Sequence, residues 1–95
     1  MTRVVVTEAA EADLDQIVEY ISEDSVSNAI ALDECVRDEI RALASFPESG
    51  RIGRVEETRE LVVSHYRCVV VYQVRSDAVW VLRVLHGGQL WPRPQ

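Results

Sequence analysis

The 95 residues, 47% hydrophobic and 27% charged, have the composition of one soluble globular domain spanning residues 1–95; a chain this short hides only about 60–65% of its unfolded surface, too little for two cores. Apolar runs such as Val69 to Tyr72 fall far short of the ~20 residues of a membrane span, and the first eight residues are too short an apolar segment for a signal peptide, so the expected location is the cytoplasm, with no membrane partner. The net charge of −6 is divided unevenly, with twelve acids and three arginines in residues 1–50 against four acids and seven arginines in residues 51–95, and the absence of lysine excludes Schiff-base and lysine general-base chemistry.

Arg3 to Thr7 is short and β-branched and reads as a strand. It stops at Thr7, whose hydroxyl suits a helix N-cap, with Glu8 and Glu11 favourably placed in the first turn. Leu14, Ile17, Val18 and Ile21 then mark one apolar stripe of a helix running to about Glu23, with Asp13, Asp15, Glu19 and Glu23 on its solvated side. Residues 24–28 are turn and cap formers. Ala29, Leu32, Val36, Ile40 and Leu43 mark a second helical face, which Pro47 ends, so the two helices form a hairpin. Residues 47–54, with two glycines, Arg51 and Arg54, read as an adjustable loop that projects positive charge.

Beyond the loop the hydrophobic period changes to two. Residues 60–64, 66–75 and 78–86 are rich in Val, Leu, Tyr and Trp, and Ser76-Asp77 is short enough for a tight turn, which predicts a three-stranded antiparallel meander. Alternation places Tyr66, Cys68, Val70, Tyr72 and Val74 on one face of the middle strand, with Arg67, Val69, Val71, Gln73 and Arg75 on the other. It likewise sets Trp80, Leu82, Val84 and His86 opposite Val79, Val81, Arg83 and Leu85. One sheet face covers the helical hairpin, and the other is left as an apolar-floored, arginine-rimmed surface suited to a partner. Cys35 and Cys68 read as inert buried thiols, and with His65 and His86 they lack metal-site spacing; no metal or cofactor is implied.

The order of strand, two helices and three strands resembles the RelE/ParE superfamily of toxins, an α+β fold, β-α-α-β-β-β, with a helical hairpin packed on a small, mainly antiparallel sheet. The stretches Thr58-Arg59-Glu60-Leu61-Val62-Val63, Val69-Val70-Val71-Tyr72-Gln73-Val74, Val81-Leu82-Arg83-Val84-Leu85-His86-Gly87 and Trp91-Pro92 look like its ParE-like branch, as does Phe46-Pro47 followed by Gly50-Arg51. The resemblance covers nearly the whole chain. It implies a growth-inhibiting, plasmid-stabilising toxin of a type II toxin–antitoxin pair, held in a hetero-oligomer by its cognate antitoxin, with a homodimer as a further possibility.

Superfamily members poison either DNA gyrase or the ribosome and its messenger RNA, and the fold does not choose between them. RNA cleavage needs a base, cations for the phosphate and an acid. His86, Arg59 and Arg83 are the candidates for that catalytic set, against the plainer reading of His86 as a strand-end imidazole bonded to a carbonyl. The lysine-rich cluster of the RelE-like nucleases is absent, and no tyrosine follows His86. A net charge of −6 also handicaps approach to RNA. Both arguments lean toward a protein target, with Arg51, Arg54, Arg67, Arg75, Trp91 and Arg93 as candidate target- or antitoxin-binding residues. A non-toxic interaction module stays open as a third reading.

Overall fold

The computed structural model describes residues 2–87. In chain order these form β1 (Arg3–Val6), α1 (Glu8–Ser22), α2 (Val26–Ala42), β2 (Arg51–Ile52), β3 (Arg59–Val63), a 3-10 turn (Ser64–Tyr66), β4 (Cys68–Arg75) and β5 (Ala78–His86). Both helices start where a hydroxyl satisfies a free backbone donor: Thr7 Oγ1 accepts from the Ala10 N–H at 3.2 Å and Ser25 Oγ from the Asn28 N–H at 3.2 Å. Because Ser25 caps so effectively, residues 26–28 are already helical, and the turn between the helices is shorter than the sequence suggested.

The five strands form one mixed sheet in the order β1-β5-β4-β3-β2. β1 runs parallel to β5, with Arg3 opposite Ala78, and the other neighbours are antiparallel. The helical hairpin covers one face. Ala10, Leu14 and Ile17 of α1 and Leu32, Val36 and Ile40 of α2 meet Val63, Cys68, Val70, Tyr72, Val79, Val81 and Val84 in a single core. Full burial of each large aliphatic side chain there contributes about 1.5–3 kcal/mol. On the opposite face Val62, Val69, Trp80 and Leu85 keep part of their surface in solvent.

Four details depart from the expectations. First, the segment 47–54 is not an open loop, since Arg51 and Ile52 pair with Glu60 and Arg59 as an edge strand. Second, the middle strand begins at Cys68: Tyr66 lies in the 3-10 turn and Arg67 adopts a left-handed backbone (φ 56°), so Arg67 is not part of the arginine-bearing strand face. Third, strict alternation fails along β5. Val71 pairs with Arg83 but Tyr72 pairs with Val81, so Leu82 is an extra residue, and Val84 joins Val79 and Val81 in the core.

Fourth, Asp13 is not a solvated position. Its carboxylate accepts from Arg83 Nε and Nη2, both at 2.7 Å, and from the Val84 N–H at 3.0 Å. Thr7 Oγ1 donates to the Val81 carbonyl at 2.8 Å. Thr7 at the N-cap and Asp13 of α1 thus bond backbone groups of β5 on either side of the bulge, and the same contacts join helix to sheet.

Candidate functional site

The sequence singled out residues 47–54, and the structure shows how they are held. Gly50 N–H donates to Tyr72 Oη at 2.9 Å, and Tyr72 Oη donates to the Pro47 carbonyl at 2.8 Å, so one buried tyrosine ties both ends of the turn. The ring lies so close that a Cβ on Gly50 would sit 2.8 Å from Tyr72 Cε1, which makes glycine the residue that fits. Arg59 Nη1 donates to the carbonyls of Glu48 at 3.2 Å and Gly50 at 2.8 Å.

Glu60 adds a third anchor. Its carboxylate accepts from Arg51 Nη2 at 2.9 Å and from the Arg54 N–H at 3.1 Å. Burial alone would raise the Glu60 carboxyl, but the Arg54 amide and the Arg51 guanidinium outweigh it and hold the group below the usual carboxylate range. The segment is therefore pinned rather than adjustable. What it presents to solvent is apolar as well as basic, since Ile52 is 75% exposed.

Beside this edge lies a shallow hollow of about 520 Å³, lined by Ile52, Glu57, Thr58, Arg59, Gln73, Val74 and Arg75. Its two arginines differ from four others in the chain. Arg37 rests on Glu11 and Asp33, Arg41 on Asp38, Arg51 on Glu60 and Arg83 on Asp13. Among the described residues no carboxylate pairs with Arg59 or Arg75. Arg75 instead donates from Nε to Gln73 Oε1 at 2.8 Å, and its guanidinium lies 5.3 Å over the Trp80 ring centroid.

The candidate nuclease set does not converge. Arg59 stands opposite Tyr72, whereas His86 stands opposite Cys68, which itself pairs with Val63. The four residue steps from Arg59 to Val63 put about 13 Å of strand between the two ends. The His86 ring meets Tyr20 of α1 edge-on, with centroids 6.3 Å apart. Arg83 is held by Asp13, whose hydrogen bonds raise the guanidinium further above its ordinary range against the opposing effect of burial. His65, for which the sequence offered no partner, packs edge-to-face on Tyr66 at 4.7 Å.

Burial pushes the Cys68 thiol up to about 11, with Cys35 adding to the effect, so this sulfur stays a protonated core group. Trp91 and Arg93 lie outside the described residues. The sequence reading missed Ile52, Gln73 and Val74 as lining residues and Tyr72 as an anchor. An isoleucine standing between an arginine and a glycine in an otherwise polar segment was the available signal for the first.

The comparisons agree with this architecture. Residues 4–91 match the sequence profile described as ParE toxin of type II toxin-antitoxin system, parDE. The chain is 38% identical over 80 residues to a Sinorhizobium fredii protein named "Putative toxin Y4kP", a match covering 84% of this chain and 82% of that protein. A chain of the chromosomal ParDE TA system from P. aeruginosa superposes with a TM-score of 0.81 at 21% identity, over 90% of this chain and 96% of that one. The conserved hypothetical protein HP0894 from Helicobacter pylori gives a TM-score of 0.58 at 22% identity, over 96% and 100%. These two likenesses show the shared fold of two helices on a mixed five-stranded sheet.

Proposed function

Because the chain belongs to the ParE toxin family, and is the toxin of a ParDE-type toxin–antitoxin system, we propose that it arrests growth by binding DNA gyrase, and that its antitoxin neutralises it by covering the contact surface. The observation that carries this reading is the dispersal of the groups a ribonuclease would need. A nuclease active site brings a base and several uncompensated cations to within hydrogen-bond reach of one phosphate. Here Arg83 is neutralised by Asp13, Arg59 bonds two carbonyls of the 47–50 turn, and His86 lies against Tyr20 at the far end of the sheet.

A protein target asks for a different kind of surface, with an exposed apolar anchor beside arginines and a backbone already fixed before contact. The Pro47–Arg54 segment has these properties, with Ile52 outward, Arg51 and Arg54 flanking it, and the Tyr72, Arg59 and Glu60 anchors behind. A supercoiling assay with gyrase, relaxed plasmid and ATP tests the reading. Loss of supercoiling or accumulation of linear DNA is the expected result. Growth arrest by a protein that leaves gyrase untouched would refute it and make ribosome-dependent messenger RNA cleavage the reading to pursue, starting from His86→Ala.

A further inference from the structure

Of the nine described arginines, five meet no described carboxylate. Two such arginines, Arg59 and Arg75, line the same hollow, together with the amide of Gln73 and the aliphatic surfaces of Ile52 and Val74, the last of which is 44% exposed. We propose that this hollow seats a carboxylate-bearing segment of the antitoxin: an aliphatic side chain lies against Ile52 and Val74, and a neighbouring aspartate or glutamate accepts hydrogen bonds from Arg75 and Arg59.

The geometry is prepared for that partner. Trp80 and Gln73 hold the Arg75 guanidinium in place, so little side-chain freedom is lost on binding. Arg59 uses Nη1 on the two turn carbonyls, and among the described residues nothing accepts from its Nε or Nη2. Those remaining donors form part of the fork that matches a carboxylate. Glu57 also lines the hollow, and its carboxylate opposes a ligand with a phosphate at every step more than one isolated acid set beside an aliphatic residue. Ile52 belongs both to the hollow and to the segment proposed to meet gyrase, so a seated antitoxin segment would mask it. The inference rests on family membership and not on the identity of the poisoned target.

The decisive measurement is calorimetric titration of the intact protein with its cognate antitoxin, wild type against Arg75→Glu. Affinity at least ten-fold weaker in the variant, with an unchanged thermal midpoint, is expected. Unchanged affinity overturns the proposal, including the case in which the variant loses only gyrase inhibition, which would assign the hollow to the target. A second test needs no antitoxin: a blocked aspartyl-leucyl-glutamate tripeptide titrated into labelled protein should shift the Ile52 and Val74 methyl and Gln73 side-chain amide resonances, while its asparaginyl-glutaminyl counterpart should not. Shifts produced by a short oligoribonucleotide but not by the acidic tripeptide would also overturn it.

Discussion

The arginines beside the helical hairpin and two at the β2–β4 corner, Arg59 and Arg75, are chemically identical and do different things. Arg37, Arg41 and Arg83 each rest on a carboxylate, and the Arg83–Asp13 pair also closes the β5 bulge. At the corner Arg59 grips backbone carbonyls and Arg75 lies on an indole, so their positive charge is fixed in position yet not cancelled. The net charge of −6 describes neither region. A chain can be acidic on average and still hold a local pair of arginines that no carboxylate neutralises.

The sharpest way to break this contrast is to remove the acid on the helical side. Asp13→Ala leaves the Arg83 guanidinium without its partner and the Val84 N–H without an acceptor. A loss of about 2–3 kcal/mol in urea unfolding is expected, less than for a fully buried pair because Arg83 keeps some solvent. At the corner, Gly50→Ala drives a methyl into the Tyr72 ring and should cost about 1–3 kcal/mol by the same measurement. Tyr72→Phe keeps the ring and removes both hydroxyl bonds, with about 1–2 kcal/mol lost and faster hydrogen exchange at the Gly50 amide. Arg75→Gln, which disturbs only exposed contacts, should leave stability within about 0.5 kcal/mol.

Acid offers a milder test that reaches both regions. Arg37 hydrogen bonds hold the Glu11 carboxyl low against the opposing effect of its burial, and Glu60 is likewise lowered from its ordinary value of 4.5. A carboxyl with a depressed folded-state value stabilises fully above its unfolded value and loses that contribution as pH falls through the folded one. Stability should therefore be level above about pH 5 and decline below it. Glu60→Gln should reduce the acid sensitivity of the 47–54 segment, read as hydrogen exchange at the Arg54 amide.

The sequence was most legible where structure is local. The Thr7 N-cap, the apolar stripes of both helices and the Ser76-Asp77 turn depend on neighbours within a few residues, and each is where the sequence placed it. The bulge at Leu82 depends on Thr7 and Asp13, some seventy residues earlier in the chain, and no window along β5 contains that information. Two-residue β2 is too short to show alternation, and its pairing is fixed by Tyr72 and Glu60 from other strands. The Arg37–Asp33 and Arg41–Asp38 pairs lie at helical spacing and were within reach of the sequence. That Arg83 meets Asp13 could be known only after α1 was placed against the sheet.

The parallel pairing of β1 with β5 also sets an order of events in synthesis. Arg3 to Val6 find their partners only in Ala78 to Val81, and the antiparallel ladder between β4 and β5 supplies much of the remaining sheet. Closing so long a loop is entropically unfavourable until the last strand is available. A chain lacking β5 therefore has helices but no closed core. Closure of the core thus waits on β5, some seventy residues after β1.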